Sequence, residues 1–148
     1  LKLLLVGGAR REEYMEELRA LGGERLIHVG FQPHERMPEF LAVADAVALP
    51  SRRSRHAEAQ VPGKVFEAMA MAKPVIATRT SDLPEILEGC GWLVEPNNVD
   101  DLTERLSYLC ENLDEARGLG ERARQRCIED YSVDAVDRML QGVLAPFQ

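Results

Sequence analysis

Apolar residues fall along this chain in two alternating rhythms. Short, nearly continuous apolar runs, LKLLLVG (1–7), RLIHVG (25–30), DAVALP (45–50), PVIAT (74–78) and GWLVEP (91–96), predict β-strands. Between them EEYMEELRAL (12–21), ERMPEFLAVA (35–44), GKVFEAMAMA (63–72) and SDLPEIL (81–87) predict helices. Pro38 interrupts one helix early, and Pro84 falls in the first turn of another. The early strands do not strictly alternate apolar with polar, as expected for a parallel sheet covered on both faces. Strand–helix alternation with right-handed crossovers predicts an open α/β layered sheet, whose ligands lie beyond the carboxyl ends of the strands. After Pro96 the rhythm changes. NNVDDLTERLSYLCENL, DEARGLGERARQRCIEDY and SVDAVDRMLQGVL are three helical stretches with no strand between them, and Asn97 or Asn98 and Ser132 are the expected N-caps.

Composition narrows this picture. A chain of 148 residues, 45% hydrophobic and 29% charged, suits a single globular domain over 1–148. The formal charge of -7 argues against a nucleic-acid-binding surface as a property of the whole molecule. Cys90, Cys110 and Cys127 are odd in number and lack CxxC spacing, which fits a reducing, cytoplasmic setting without a disulfide framework or zinc site. His28, His34 and His56 are scattered without ligand spacing, and no metal is expected. No run approaches the roughly 20 apolar residues of a membrane span. Opening directly on the strand sequence LKLLLVGG, the chain reads as a fragment of something longer.

The strand ends direct attention to two features. The segment PSRRSRHAEAQVPGK (50–64) is the longest without clear periodicity, and it sets Arg52, Arg53, Arg55, His56 and Lys64 against one acid, Glu58. A basic loop at the ligand edge of an acidic chain points to an anionic ligand; the plainer reading is a solvated loop. Pro62-Gly63 then opens the helix carrying Lys64 and Glu67. Free N–H groups of a first turn, with glycine permitting close approach, can hold a phosphate. Glu67, three residues from Lys64, is either half of an exposed ion pair or an acceptor for ligand hydroxyls such as a ribose diol.

The order of these segments resembles a known family. VGG at Val6–Gly8, HVGFQPHERMPEFLAVADAVALPS (28–51), FEAMAMAKPVIAT (66–78) and LPEILEGCGWLVEPNNVDDL (83–102) look like the donor-binding, carboxyl-terminal half of the retaining GT-B glycosyltransferases, within the glycosyl transferases group 1. The resemblance spans essentially the whole chain. It implies a Rossmann-like open parallel sheet flanked by helices with a helical carboxyl-terminal segment, lacking its first βα unit. Glu67 matches the second glutamate of the family's E-x7-E motif, which holds the donor's ribose hydroxyls. Gly63, Lys64 and Val65 fall where backbone N–H groups meet diphosphate and sugar. Val29 to Phe31 match the stretch walling the nucleotide base, and Gly8 the turn facing the donor phosphates.

The departures are specific. Ala59 stands eight positions before Glu67, where the motif's first, sugar-gripping glutamate belongs, and Glu58 lies one residue away. The preceding loop is longer than usual, VPGK resembles the P-x-K variant of the motif, and Ala72 replaces a turn glycine. The family's diphosphate-neutralising arginine and lysine belong to the unit before LKLLLVGG. The implied activity is hexosyl transfer with retention from a nucleotide-diphosphate sugar. No cofactor or obligatory metal is needed, and the acceptor glycan, lipid or small molecule is met through an absent amino-terminal domain, as is any membrane contact. The catalytic residues remain unassigned, and the isolated fragment is expected to be inactive. Two alternatives stay open: a non-catalytic GT-B-like binding or assembly module, and a sugar-nucleotide epimerase.

Overall fold

A computed structural model describes residues 1–8 and 11–145. The chain divides into two compact units, Leu1–Ala44 and Asp45–Gln148. In the first, β1 (Leu3–Leu5) and β2 (Leu26–His28) pair in parallel, with Leu3 opposite Leu26 and Leu5 opposite His28. The crossover is helix α1 (Glu12–Gly22), whose Met15 is buried. Its end is marked by Gly23, at φ +49, whose N–H returns to Arg19 O. Helix α2 (Met37–Val43) follows a 3-10 turn, His34–Arg36, and takes Pro38 into its first turn, so the proline starts this helix rather than breaking it.

The second unit carries the parallel sheet β3 (Val47–Leu49), β4 (Val75–Thr78), β5 (Trp92–Val94), with β4 central. All four β4 residues are buried, and their alternation divides the core. Val75 and Ala77 pack with Val65, Ala68 and Met69 of α4 (Lys64–Ala70), Leu83 and Ile86 of α5 (Leu83–Ile86), and Ala123 and Cys127 of α7 (Leu113–Asp130). Ile76 packs with Val94, Leu109 of α6 (Val99–Glu111), and Ala116. An apolar run that needs cover on both faces thus receives it. The strands predicted as one sheet form, among the described residues, a two-stranded and a three-stranded ladder, one in each unit.

Helices α6, α7 and α8 (Val133–Leu144) follow with no strand between them. Asn98, not Asn97, caps α6 by accepting from Asp101 N–H, and Ser132 caps α8 through Ala135 N–H. Three α7 arginines secure neighbouring helix ends: Arg122 donates to Gly89 O at 3.0 Å, Arg126 to Glu88 O at 2.9 Å, and Arg124 to Ala70 O. Cys90 and Cys127 are buried free thiols whose pKa values are raised by desolvation, while Cys110 is exposed. No described helix is long and apolar enough to cross a membrane.

The turn from α4 into β4 is a Schellman motif. Ala72 N–H bonds Met69 O at 2.9 Å and Lys73 N–H bonds Ala68 O at 3.0 Å, which holds Ala72 at φ +53. A Cβ in left-handed backbone costs about 1–2 kcal/mol, part of which glycine returns as extra freedom in the unfolded chain. The replacement of a turn glycine at Ala72 therefore carries a backbone cost. Ala72→Gly is expected to raise stability by about 0.5–1 kcal/mol, read as a higher urea midpoint at unchanged slope.

Candidate donor site

The carboxyl end of β3 runs into the Pro50–Gly63 loop, which is built rather than loose. Ser51 N–H donates to the buried Thr78 hydroxyl at 3.0 Å. Ser54 caps a short helix, α3 (Arg55–Ala59), by accepting from Ala57 N–H. Glu58 then accepts from Ser81 N–H at 3.3 Å and pairs with Arg53 at 3.5 Å. Sequence reading missed α3 and this tether; the available signal was a serine ahead of a short run of helix formers. Glu58, the nearest acid to the alanine at position 59, is thus engaged within the protein.

At the loop's end, Gly63 already has helical backbone angles, φ -53 and ψ -26. Val65 N–H bonds Pro62 O at 3.0 Å and Phe66 N–H bonds Gly63 O at 3.1 Å, which leaves the N–H groups of Gly63 and Lys64 outside these turn bonds. A Cβ on Gly63 would meet no protein atom within 4 Å. Neither packing nor dihedral angle demands glycine there, and the first turn is open on that side. Lys64 is exposed, whereas Val65 is fully buried in the core, so only the backbone of Val65 can face a ligand. Glu67 is half-buried, and among the described residues its carboxylate has no hydrogen-bond or ion-pair partner. The Lys64–Glu67 ion pair is not formed.

In the first unit, Gly7 sits at φ +122, its N–H bonded to Gly30 O at 2.8 Å and its carbonyl 2.7 Å from His28 Nε2. His28 therefore holds the β1 turn. Val29 N–H bonds Leu5 O, and Val29 O accepts from Gln32. Gly8 lies under the Phe31 ring: a Cβ there would overlap Phe31 Cε2 and come within 2.8 Å of Cδ2. Phe31 is nevertheless 86% exposed, an aromatic face resting on glycine backbone. Gly8, Val29 and Phe31 thus share one corner of this unit. Ala9 and Arg10, next in sequence, lie outside the described residues. Among the described residues no cluster of His, Cys, Asp or Glu is arranged to hold a metal.

Comparison with known proteins places this fold. The chain covers 99% of itself on sucrose-phosphate synthase from Thermosynechococcus elongatus, with 25% identity, a TM-score of 0.83 and 38% of that chain matched. It covers 99% of itself on Anabaena HepE in complex with UDP, with 21% identity, a TM-score of 0.79 and 41% of that chain matched. The fold is that of the GT-B glycosyltransferases. The family described as Glycosyl transferases group 1 matches residues 1–112, and the chain belongs to it. The putative colanic acid biosynthesis glycosyltransferase WcaL of Escherichia coli is 32% identical over 119 residues, 78% of this chain and 29% of that protein. The GDP-mannose-dependent monoacylated alpha-(1-6)-phosphatidylinositol monomannoside mannosyltransferase of Corynebacterium glutamicum is 29% identical over 146 residues, 97% of this chain and 38% of that protein. The chain therefore spans about a third of the length of these curated relatives.

Proposed function

We propose that residues 1–148 are the single donor-binding, carboxyl-terminal domain of a longer, retaining glycosyltransferase that moves a hexosyl group from a nucleoside-diphosphate sugar. The observation that carries this reading is the first turn of α4, where a half-buried, unpartnered carboxylate, Glu67, lies one helical turn from exposed Lys64. An unpaired carboxylate beside a cation and open N–H groups suits a ligand presenting phosphates and hydroxyls together. Gly63, Lys64 and Val65 are assigned to diphosphate and sugar, the last through its backbone, and Glu67 to the ribose hydroxyls. Gly8 is assigned to the donor phosphates, and Val29 and Phe31 to the base.

Basic side chains and backbone N–H groups stabilise the leaving diphosphate in this reading, without an obligatory metal. Catalysis also requires a surface that encloses the acceptor, so the 148-residue chain is expected to bind donor without turning it over. Support comes from similar proteins, Anabaena HepE in complex with UDP and the GDP-mannose-dependent corynebacterial mannosyltransferase. A second reading, a non-catalytic binding module, is favoured by Ala59 in place of the first motif acid. Calorimetric titration with UDP, GDP and ADP tests the donor reading. Binding of one of them at micromolar to low millimolar concentration is expected, and silence from all three would remove the site.

A further inference from the structure

We propose that Arg52 and Arg55 form a diphosphate-selective clamp on the Pro50–Gly63 loop, and that Glu58 is its positioning residue. This rests on the donor reading above and specifies how the diphosphate is distinguished from a monophosphate. The loop is fastened at two points, Ser51 N–H to Thr78 Oγ1 at 3.0 Å and Ser81 N–H to the Glu58 carboxylate at 3.3 Å. Both anchors lie in one short segment, from the last residue of β4 to Ser81, where Thr78 and Thr80 are buried and Ser81 holds φ +49. Such backbone is costly for serine and persists only where its surroundings fix it.

Between the two anchors run the three arginines. Of these, Glu58 pairs with Arg53 alone, at 3.5 Å. Arg52 and Arg55 are exposed and make no ion pair among the described residues. The segment holding them ends at the open first turn of α4. Two uncompensated guanidiniums on an anchored loop, in a chain of net charge -7, are left available to an outside anion rather than engaged by a neighbouring acid. Each can engage phosphate oxygens through two parallel N–H donors. A diphosphate supplies charge and acceptors for both, while a monophosphate leaves one of them unsatisfied.

The test titrates UDP and UMP, and GDP and GMP, into the wild-type chain and its variants at low and high salt. Arg52→Ala with Arg55→Ala should weaken the diphosphates roughly ten-fold. The monophosphates should lose less than about three-fold, and the salt dependence of diphosphate binding should flatten. Glu58→Ala should also weaken diphosphate binding by freeing the loop. Glu58→Gln retains an oxygen for Ser81 N–H and releases Arg53 from its acid, so it should bind diphosphate more tightly than wild type. Equal losses for diphosphate and monophosphate, or no loss, in the double arginine variant would overturn the clamp while leaving the donor reading intact. Matching behaviour of Glu58→Ala and Glu58→Gln would remove the positioning role. A wild-type chain that binds no nucleotide overturns clamp and donor reading together.

Discussion

Gly120→Ala is expected to destabilise the chain by about 2 kcal/mol, although alanine is the better helix former. Within a helix that exchange favours alanine by about 1 kcal/mol. Gly120, however, is buried where α7 meets the α4–β4 turn, and a Cβ there would overlap Ala72 O and lie 2.8 Å from Ala72 C and 3.1 Å from Pro74 N. The obstruction is backbone held by the Schellman bonds, so no side-chain rotation relieves it. Overpacking of this kind costs about 1–3 kcal/mol and sometimes more, and it outweighs propensity. Gly118 provides the matched control. It lies on the same helix, and its added Cβ would meet only Arg122 Nη1, at an ordinary contact distance of 3.7 Å. Gly118→Ala should therefore gain up to about 1 kcal/mol. Urea unfolding followed by fluorescence of Trp92, which lies in β5 of the same unit, reads both variants. A Gly120→Ala chain as stable as wild type would show that α7 is not seated against that carbonyl.

Glu67→Gln is expected to weaken binding of a ribonucleoside diphosphate by roughly ten- to a hundred-fold, while the 2′-deoxy analogue loses far less. A hydrogen bond to a charged acceptor is worth about 1.5–3 kcal/mol, and glutamine keeps the shape while removing the charge. Because the carboxylate has no partner among the described residues, the substitution deprives no protein donor, and the melting temperature should hardly move. Parallel titrations with UDP and 2′-deoxy-UDP decide the matter. Equal losses for the two ligands would detach Glu67 from the ribose.

What could be read from the sequence was what repeats. PVIAT announced a strand because its run is nearly all apolar, and β4 is that strand, buried at all four of its residues. Asparagine and serine ahead of α6 and α8 announced their caps because such short polar side chains can accept from first-turn N–H groups, although the choice between Asn97 and Asn98 stayed open. What stayed hidden depends on partners distant in sequence. The Glu58–Ser81 bond spans 23 positions, and without it residues 50–63 read as featureless. Ala72 reads as an ordinary small residue until its φ of +53 is known. Glu67 and Lys64 sit at an ion-pairing spacing, yet the pair does not form, a matter of side-chain direction that spacing alone leaves undetermined.

Gly120 also bears on where movement can occur. Its fit against Ala72, together with Arg124 on Ala70 O, locks the carboxyl end of α4 to an 18-residue helix at a single register. A rod pinned at one end cannot slide or turn when something presses on the other. Lys64 and Glu67 therefore stand on a fixed post, and the segment leading into it, residues 50–63, is itself tied down through Ser51 and Glu58. Tightening α7 on α4 should leave the nucleotide affinity of the post unchanged, whereas lengthening or shortening the loop between its two ties should lower it.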